Sequence, residues 1–354
     1  MRVRALITTA LVVLGTVLGG TLECDPIVLG PKEAHGKETY DRMCAVCHGA
    51  SGEGYKADQA TALAQPDFLG SVTDDFLRAA ITMGRDGTTM SAWGLERGGP
   101  LSRSDVDAVI AFLRTRSDGA PRKLDDRPMR GNASLGAPLF QRDCLRCHGT
   151  RGMGGPNVSI GNPELLRTAS DGFLRLAITG GRPGTAMPPF SKDPEEVENL
   201  VALLRSWQAS PPPVTKRAAP AKPPPIALGP VPLNPHGPTP TDFTATPGFT
   251  KADVVAADLR RGAKMGILDA RAPSDYTSEH IAGAVSVPFY DPEPYVSGLP
   301  KDAWLVCYCG CPHAESGQLA QKLRAKGFTK VTVIDEGLRY WKAKNYPTHT
   351  GLTP

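Results

Sequence analysis

The chain has 354 residues, which is enough for two or three domains that each bury a core of their own. Its 40 lysines and arginines against 36 aspartates and glutamates give a formal net charge of +4, which is mild for this length. Because no run of basic residues is interleaved with aromatic side chains, the composition argues against a nucleic-acid partner.

The N-terminus predicts export from the cytoplasm. Arg2 and Arg4 precede an apolar stretch of small residues from Ala5 to Leu22, the order of a charged and then a hydrophobic signal region. Residues 1–24 are therefore interpreted as a signal peptide or, because the apolar stretch is just long enough to cross a bilayer, as a membrane anchor. Cys24 offers a further tether, since a lipid on this residue would hold the exported chain at a membrane.

Two pentapeptides of one pattern follow, Cys44-Ala45-Val46-Cys47-His48 and Cys144-Leu145-Arg146-Cys147-His148. Two thiols three positions apart can add to the two vinyl groups of one haem while the adjacent imidazole reaches the iron. The pattern predicts thioether attachment at Cys44, Cys47, Cys144 and Cys147, with His48 and His148 as axial ligands. A redox dithiol or half of a zinc site is the alternative, but it requires the same coincidence twice.

A second axial ligand is expected some tens of residues after each motif. The segments 76–90 and 173–187 align with each other, and each ends in Gly-Thr-x-Met, so Met90 and Met187 occupy the same position. A thioether is a soft ligand that favours ferrous iron and raises the reduction potential of haem. Met83 is interpreted as core filler, because its counterpart is Gly180.

Helical patterns flank both motifs. Gly36 and Gly136 lie at equivalent places before the two cysteine motifs, in segments whose apolar spacing predicts an N-terminal helix. The amphipathic stretches 104–114 and 194–207, acidic at the start and basic at the end, predict closing helices.

This order of helix, CxxCH motif, loop, methionine and closing helix resembles class I cytochromes c over residues 30–117 and 131–209. The resemblance implies two all-α domains, two covalently bound haem c groups, a periplasmic location and redox partner proteins in an electron-transport chain. Pro156 stands where the family often places a proline whose carbonyl orients the proximal histidine. The first domain has Tyr55 and Lys56 there, so this support is not predicted for His48.

Prolines dominate residues 210–247, which predicts a semi-rigid, extended linker. By contrast, the joint between the two haem domains is short. The two haems are therefore expected to lie close enough to exchange electrons, whereas the C-terminal domain is expected to sit on a movable arm.

The last hundred residues alternate strand-like and helix-like segments. Short apolar strands are predicted at 267–269, 304–308 and 331–334, and a helix is predicted at 315–326, which together indicate an α/β domain with a parallel sheet. Cys309 falls where a strand ends and a helix follows, the usual place of an active site in such sheets.

Residues 248–350 resemble a rhodanese domain. The matching segments include Asp269-Ala270-Arg271, the stretch from His280 to Ala284, Tyr308-Cys309 and Glu336-Gly337. Such domains carry sulfane sulfur as a cysteine persulfide, and by position Cys309 is the sulfur carrier. A loop of converging backbone N–H groups at a helix N-terminus suits a thiolate or persulfide anion.

The loop departs from the family pattern. It is about one residue longer than usual, and Glu315 stands where an arginine would indicate a phosphatase, so phosphatase activity is not predicted. Cys307 is interpreted as a buried strand thiol, and Cys311 as a candidate second catalytic thiol that could resolve a persulfide by forming a disulfide. A metal site from Cys309, Cys311 and His313 is the alternative, without an evident fourth ligand.

These features predict an exported di-haem cytochrome fused to a rhodanese-like domain. In the sharper hypothesis, Cys309 takes sulfur from thiosulfate or polysulfide, and oxidation of the bound sulfur or of the cysteine pair yields electrons for the haems. The rival hypothesis is an electron carrier whose C-terminal domain is a non-catalytic docking or redox-sensing module. Whether this domain is a sulfurtransferase stays open at this stage.

Overall fold

The computed structural model describes residues 28–57, 60–117, 121–190, 193–208, 231–243, 248–310 and 312–354. The predicted signal or anchor segment with Cys24, the residue Cys311 and the first part of the predicted linker lie outside these ranges. Among the described residues, no helix is both long enough and apolar enough to cross a membrane.

The first helical module contains five α-helices and a short 3₁₀ turn at Leu95–Arg97. The helices are α1 (Pro31–Met43), α2 (Ala45–His48), α3 (Pro66–Leu69), α4 (Asp74–Met83) and α5 (Arg103–Arg114). The first CxxCH motif therefore directly follows α1, and the predicted closing helix is α5.

The second module repeats this order, with a 3₁₀ turn at Thr150–Gly152 after its haem motif. Its helices are α6 (Ala133–Asp143), α7 (Leu145–His148), α8 (Pro163–Thr168), α9 (Asp171–Gly180) and α10 (Pro194–Ser206). In both modules a hydroxyl caps the helix that precedes the methionine loop, since the side chains of Thr73 and Ser170 accept the N–H of Phe76 and of Phe173.

The first and last helices of each module pack against each other through a glycine. A Cβ atom added to Gly36 would lie 1.9 Å from the carbonyl oxygen of Ala108, and one added to Gly136 would lie 2.1 Å from that of Asn199. Only glycine permits this approach of two helix backbones. The repeated glycine thus sets the helix pair that carries each haem motif.

The C-terminal domain has a five-stranded parallel sheet in the order β1-β6-β5-β2-β4 and a separate antiparallel pair, β3 and β7. Its strands are β1 (Phe249–Thr250), β2 (Met265–Asp269), β3 (His280–Ile281), β4 (Ala284–Ser286), β5 (Trp304–Tyr308), β6 (Val331–Ile334) and β7 (Thr348–His349). Its helices are α11 (Ala252–Arg260), α12 (Pro273–Ser278), α13 (Glu293–Val296), α14 (Ala314–Ala325) and α15 (Gly337–Ala343). The predicted fold class, two helical domains followed by an α/β domain with a parallel sheet, is confirmed.

Residues 231–243, which the sequence places in the linker, pack onto this domain. The side-chain amide of Asn234 donates to the carbonyl of Gly262 at 2.7 Å, and the ring of Phe243 meets Trp304 edge-on at 5.5 Å. The proline content predicted an extended segment, but apolar and amide side chains between the prolines hold this part against the sheet domain.

Candidate functional site

The first CxxCH motif lies at the turn between α1 and α2. Cys44 and Cys47 are half-buried and His48 is buried. The Nδ1 atom of His48 lies 2.8 Å from the carbonyl oxygen of Thr61, which fixes the ring and leaves Nε2 as the atom that could bind iron.

The second motif has the same geometry, with Nδ1 of His148 2.8 Å from the carbonyl oxygen of Val158. The expectation that the carbonyl of Pro156 orients His148 was therefore wrong. The expected difference between the modules was wrong too, since His48 has an equivalent partner. The physical reason is that the loop after each motif folds back onto the histidine. The residue whose carbonyl then reaches the ring is Thr61 in the first module and Val158 in the second.

The pKa values of the motif histidines and cysteines distinguish a haem site from a redox dithiol. Burial lowers the pKa of His48 and of His148, which favours the neutral imidazole that coordinates metals. Burial raises the pKa of the Cys44 thiol to about 12 and that of Cys144 to about 11. A reactive redox dithiol needs the opposite shift, so the dithiol alternative loses support.

The methionine loops are built alike. The carbonyl oxygen of Met90 accepts the N–H of Arg85 at 2.9 Å, and the Met90 N–H donates to the Thr88 hydroxyl at 3.1 Å. In the second module Arg182 and Thr185 make the same bonds to Met187, at 2.9 and 3.2 Å. The alignment predicted from the sequence thus corresponds to one repeated turn.

One cavity of about 560 Å³ reaches both modules. Its lining is mostly apolar and includes the predicted attachment and axial residues Cys44, Cys47, His48, Met90, Cys147, His148 and Met187. Where the two modules meet, the rings of Phe76 and Phe173 lie 5.5 Å apart, and the amide of Asn162 donates to the carbonyl of Asp86 at 2.8 Å. The structure therefore brings the two predicted ligand sets to one interior.

A buried guanidinium that the sequence reading missed also faces this cavity. The Nη1 atom of Arg85 is buried without a hydrogen-bond partner among the described residues, and the guanidinium lies 5.5 Å from the centre of the Phe76 ring. Burial lowers the pKa of Arg85 to about 10. A buried donor needs an acceptor, which a haem propionate would supply. Arg182 occupies the equivalent position in the second module, 4.9 Å from the centre of the Phe173 ring. The repeated arginine in the aligned segments is therefore the sequence feature that could have identified this pair.

Apolar walls, paired thiols, an oriented imidazole, a thioether and an unsatisfied cation together fit haem c. Cys44, Cys47, His48 and Met90 would hold one group, and Cys144, Cys147, His148 and Met187 would hold the other. Arg85 and Arg182 would neutralise carboxylates at the shared wall.

The second candidate site is the Cys309 loop of the C-terminal domain. Cys309 is fully buried at the carboxyl end of β5, and its Sγ lies 3.3 Å from the hydroxyl of Ser316 on α14. The neighbouring Cys307 is also fully buried, and burial raises the pKa of its thiol to about 12. Cys307 is thus the inert strand thiol that the sequence predicts.

Two histidines near this loop have structural contacts. Both ring nitrogens of buried His280 face backbone carbonyls, those of Tyr276 at 2.7 Å and Thr353 at 3.0 Å. His313 lies 2.9 Å from the carboxylate of Asp335 and packs on the ring of Phe249. These contacts favour structural roles for both rings over a metal-binding role.

A buried charged network supports the strand ends beneath Cys309. The carboxylate of Asp269 receives the guanidinium of Arg271 at 2.6 and 3.0 Å and the hydroxyl of Tyr308 at 2.6 Å. Asp269 is fully buried and Arg271 nearly so. This network ties the ends of β2 and β5 together, and so fixes where the Cys309 loop begins.

We expect Asp269→Ala to destabilise the C-terminal domain by about 3–5 kcal/mol, because the change leaves a buried guanidinium without its partner. A urea titration, with hydrogen exchange in β2 and β5 as the readout, measures this loss of stability. The matched control is Asp302→Ala, which breaks the exposed pair with Lys264 and should leave the midpoint nearly unchanged. Equal urea midpoints for Asp269→Ala and Asp302→Ala would contradict a stabilising role for the buried network.

The C-terminal domain packs against the first helical module. Helix α14, which follows the Cys309 loop, contacts α2 with its haem motif, and Glu315 and Arg339 line the same cavity as His48. A Cβ atom added to Gly310 would stand 3.5 Å from the methyl group of Thr89. The movable arm expected from the sequence is thus a docked domain in this structure, with the Cys309 loop turned to the first haem motif.

Comparison with known proteins defines the class of each part. Residues 31–113 and 131–204 match the family described as cytochrome c oxidase, cbb3-type, subunit III, and residues 251–344 match the rhodanese-like domain family. The helical modules are therefore c-type cytochrome domains with covalently bound haem c. The chain belongs to the cbb3-type cytochrome c family over these modules and carries a C-terminal rhodanese-like domain.

Individual relatives cover parts of the chain. The cbb3-type cytochrome c oxidase subunit FixP of Azorhizobium caulinodans is 33% identical over 48% of this chain and 57% of its own length. The FixP subunit of Bradyrhizobium diazoefficiens is 30% identical over 54% of this chain and 67% of its own length. The solution structure of a rhodanese-like domain from Anabaena sp. is 32% identical, covers 30% of this chain and 80% of its own, and has a TM-score of 0.28.

Proposed function

We propose that this protein is an exported, periplasm-facing di-haem cytochrome c whose rhodanese-like domain handles sulfane sulfur at Cys309. Residues 1–24 direct export and either are removed or stay as an anchor. Bound haem c supplies a one-electron couple at each iron. The names of the relatives support an electron-transport complex as the redox partner, because both FixP proteins are described as subunits of a cytochrome oxidase.

The proposed sulfur step is a transfer to the Cys309 thiolate. The thiolate attacks the outer sulfur of thiosulfate, the sulfur–sulfur bond of thiosulfate breaks, sulfite leaves, and Cys309 holds a persulfide anion. The Ser316 hydroxyl, 3.3 Å from Sγ, can donate a hydrogen bond to the anion. A nucleophilic acceptor then takes the outer sulfur and restores the thiolate.

Electrons arise when the thiols of Cys309 and Cys311 are oxidised to a disulfide. This oxidation releases two electrons and two protons, and two ferric haem c groups, when bound, would each accept one of the electrons. A polysulfide anion reopens the disulfide: its terminal sulfur bonds to Cys309, the Cys309–Cys311 bond breaks, and Cys311 leaves as a thiolate that takes up a proton. Once a nucleophilic acceptor takes the added sulfur and restores the Cys309 thiolate, the cycle has drawn two electrons from each polysulfide that reacts.

The observation that carries this proposal is the position of the Cys309 loop. Among the described residues, the loop and the helix behind it contact the first haem module, with Gly310 beside Thr89 and α14 on α2. Because Thr89 precedes the predicted ligand Met90, the sulfur site and the first haem site share a wall. A domain that only accompanied the cytochrome would not need this orientation.

The sulfur step is tested by persulfide formation on the full-length holoprotein. We expect thiosulfate to add the mass of one sulfur atom to the wild-type chain, and Cys309→Ser to abolish this gain, because Cys309 is the proposed sulfur carrier and burial raises the pKa of the Cys307 thiol. Cys307→Ala is the matched control and should load sulfur like the wild type, since its thiol is inert. Sulfur loading that survives in Cys309→Ser would refute the assignment of the carrier.

A second function, an electron carrier with a non-catalytic docking domain, is favoured by one observation. Cys309 has no exposed surface, and the buried Glu315 on the helix that follows its loop lines the cavity. In that case thiosulfate would load no sulfur on either the wild-type protein or the Cys307→Ala variant. The same mass measurement thus decides between the two functions.

A further inference from the structure

The loop that carries Met90 is held from outside its own module. The hydroxyl of Ser91 donates to the carboxylate of Asp275 at 2.6 Å, and the hydroxyl of Ser274 donates to the carbonyl of Ala92 at 2.7 Å. The ring of Trp93 packs on Tyr290 at 5.6 Å. With Thr89 against Gly310, the residue before Met90 and the three after it all contact the rhodanese-like domain.

In the second module, no contact of this kind to the rhodanese-like domain is found for the same loop among the described residues. Trp93 and Phe190 are equivalent, since their N–H groups donate to the equivalent carbonyls of Ile81 and Ile178 at 3.0 Å. Trp93 is 6% exposed, whereas Phe190 is 37% exposed. Pro188 and Pro189, which follow Met187, are exposed as well. Within the part of the chain that the structure describes, the cover of the ligand loop is therefore specific to the first module.

We infer that the rhodanese-like domain acts as a clamp on the Met90 loop, and that the clamp sets how firmly the first haem keeps its methionine ligand. Ser91, Ser274 and Asp275 are positioning residues in this inference. It rests on the axial role of Met90 in the proposed function and goes beyond it by assigning regulation of one haem to the other domain.

The physical reason is the position of the ligand on a short loop. A methionine thioether stays on iron only while the loop holds it there, so contacts that fix the loop shift the balance between bound and displaced methionine. The clamp residues lie next to the sulfur site, because Arg271 lies 3.7 Å from a Cβ placed on Gly310 and directly precedes the helix α12 that carries Ser274 and Asp275. Events at Cys309 can thus alter the first haem, and by linkage the first haem can alter the Cys309 loop.

Imidazole, which competes with methionine for ferric iron, gives a direct test on the full holoprotein. We expect Ser91→Ala to raise the imidazole affinity of one haem roughly tenfold, since it removes a hydrogen bond to a charged group. Asp275→Asn should raise it by a smaller factor, since a neutral amide oxygen replaces the carboxylate as the acceptor. The other haem should keep its affinity. The double variant should bind no tighter than Ser91→Ala, because both changes act on the same contact.

Two further variants complete the design. Asp253→Asn makes the same chemical change on α11, where the carboxylate accepts the hydroxyls of Tyr340 and Tyr346 and does not touch the Met90 loop. It should leave both affinities unchanged. Met90→His should abolish imidazole binding at the affected haem alone, which assigns that haem to the first module. Unchanged affinities in Ser91→Ala and Asp275→Asn, or equal changes at both haems, would overturn the clamp while Met90→His still confirms the ligand. If Met90→His changes nothing, the axial role of Met90 fails, and the clamp fails with it.

Discussion

Replacing Cys44 and Cys47 together by alanine should halve the covalently bound haem per chain, and replacing Cys144 and Cys147 should remove the other half. Each pair lies in its own module, where one helix ends just before the first cysteine and a short helix contains the second, so neither pair can supply the thioethers of the other. Haem absorbance after alkaline pyridine treatment, divided by protein mass, measures this content. Intact mass then shows how many haems remain attached.

The control for this prediction is Cys307→Ala, which removes a thiol outside both haem motifs and should keep the full haem content. Because Phe76 and Phe173 join the modules, the remaining haem should also keep its own spectrum. Full haem content after loss of either cysteine pair would contradict the count of two and the attachment sites. Half content in the untreated wild type would contradict the count alone.

The proposed haem ligands could be inferred from the sequence because their pattern is local. Two thiols and an imidazole must stand within five positions to serve one haem, and the repeat then located Met90 and Met187 by alignment. The strands β5 and β6 were predicted at their observed bounds, since short apolar runs between polar turns are typical of a buried parallel sheet. Such features depend on residues that are neighbours in the chain.

Contacts between distant residues could not be predicted. The carbonyl partners of His48 and His148 depend on how each loop folds back, and no side chain marks them. The bond between Ser91 and Asp275 joins residues 184 positions apart, across a proline-rich segment that suggested an arm. Serine and aspartate on a surface are common, so only the packed structure distinguishes this pair.

The candidate site of the C-terminal domain could be predicted only in part. Cys309 was placed at a strand end from the pattern alone, and the structure puts it there, fully buried beside Ser316. Its orientation toward the first haem module had no sequence signal, because it follows from the docking of one domain on another. The proposed role of Cys311 depends on a residue outside the described ranges and stays a prediction.

Coupling between the sulfur site and the haems should appear as reduction of the haems by polysulfide. A short path leads from the Cys309 loop into the first module, since Gly310 lies beside Thr89 of the Met90 loop. Cys309→Ser removes the thiol that accepts sulfur, so the reduction should fall to the background rate of direct reaction with polysulfide. Cys307→Ala leaves the loop intact and should reduce like the wild type.

The most direct test adds polysulfide anaerobically to the oxidised holoprotein and follows the haem absorption in the wild type, Cys309→Ser and Cys307→Ala. Fast reduction in the wild type and in Cys307→Ala, with only the background rate in Cys309→Ser, is the result expected from sulfur chemistry coupled to the haems. Equal rates in all three proteins would contradict that coupling and leave a cytochrome whose rhodanese-like domain has no part in its reduction.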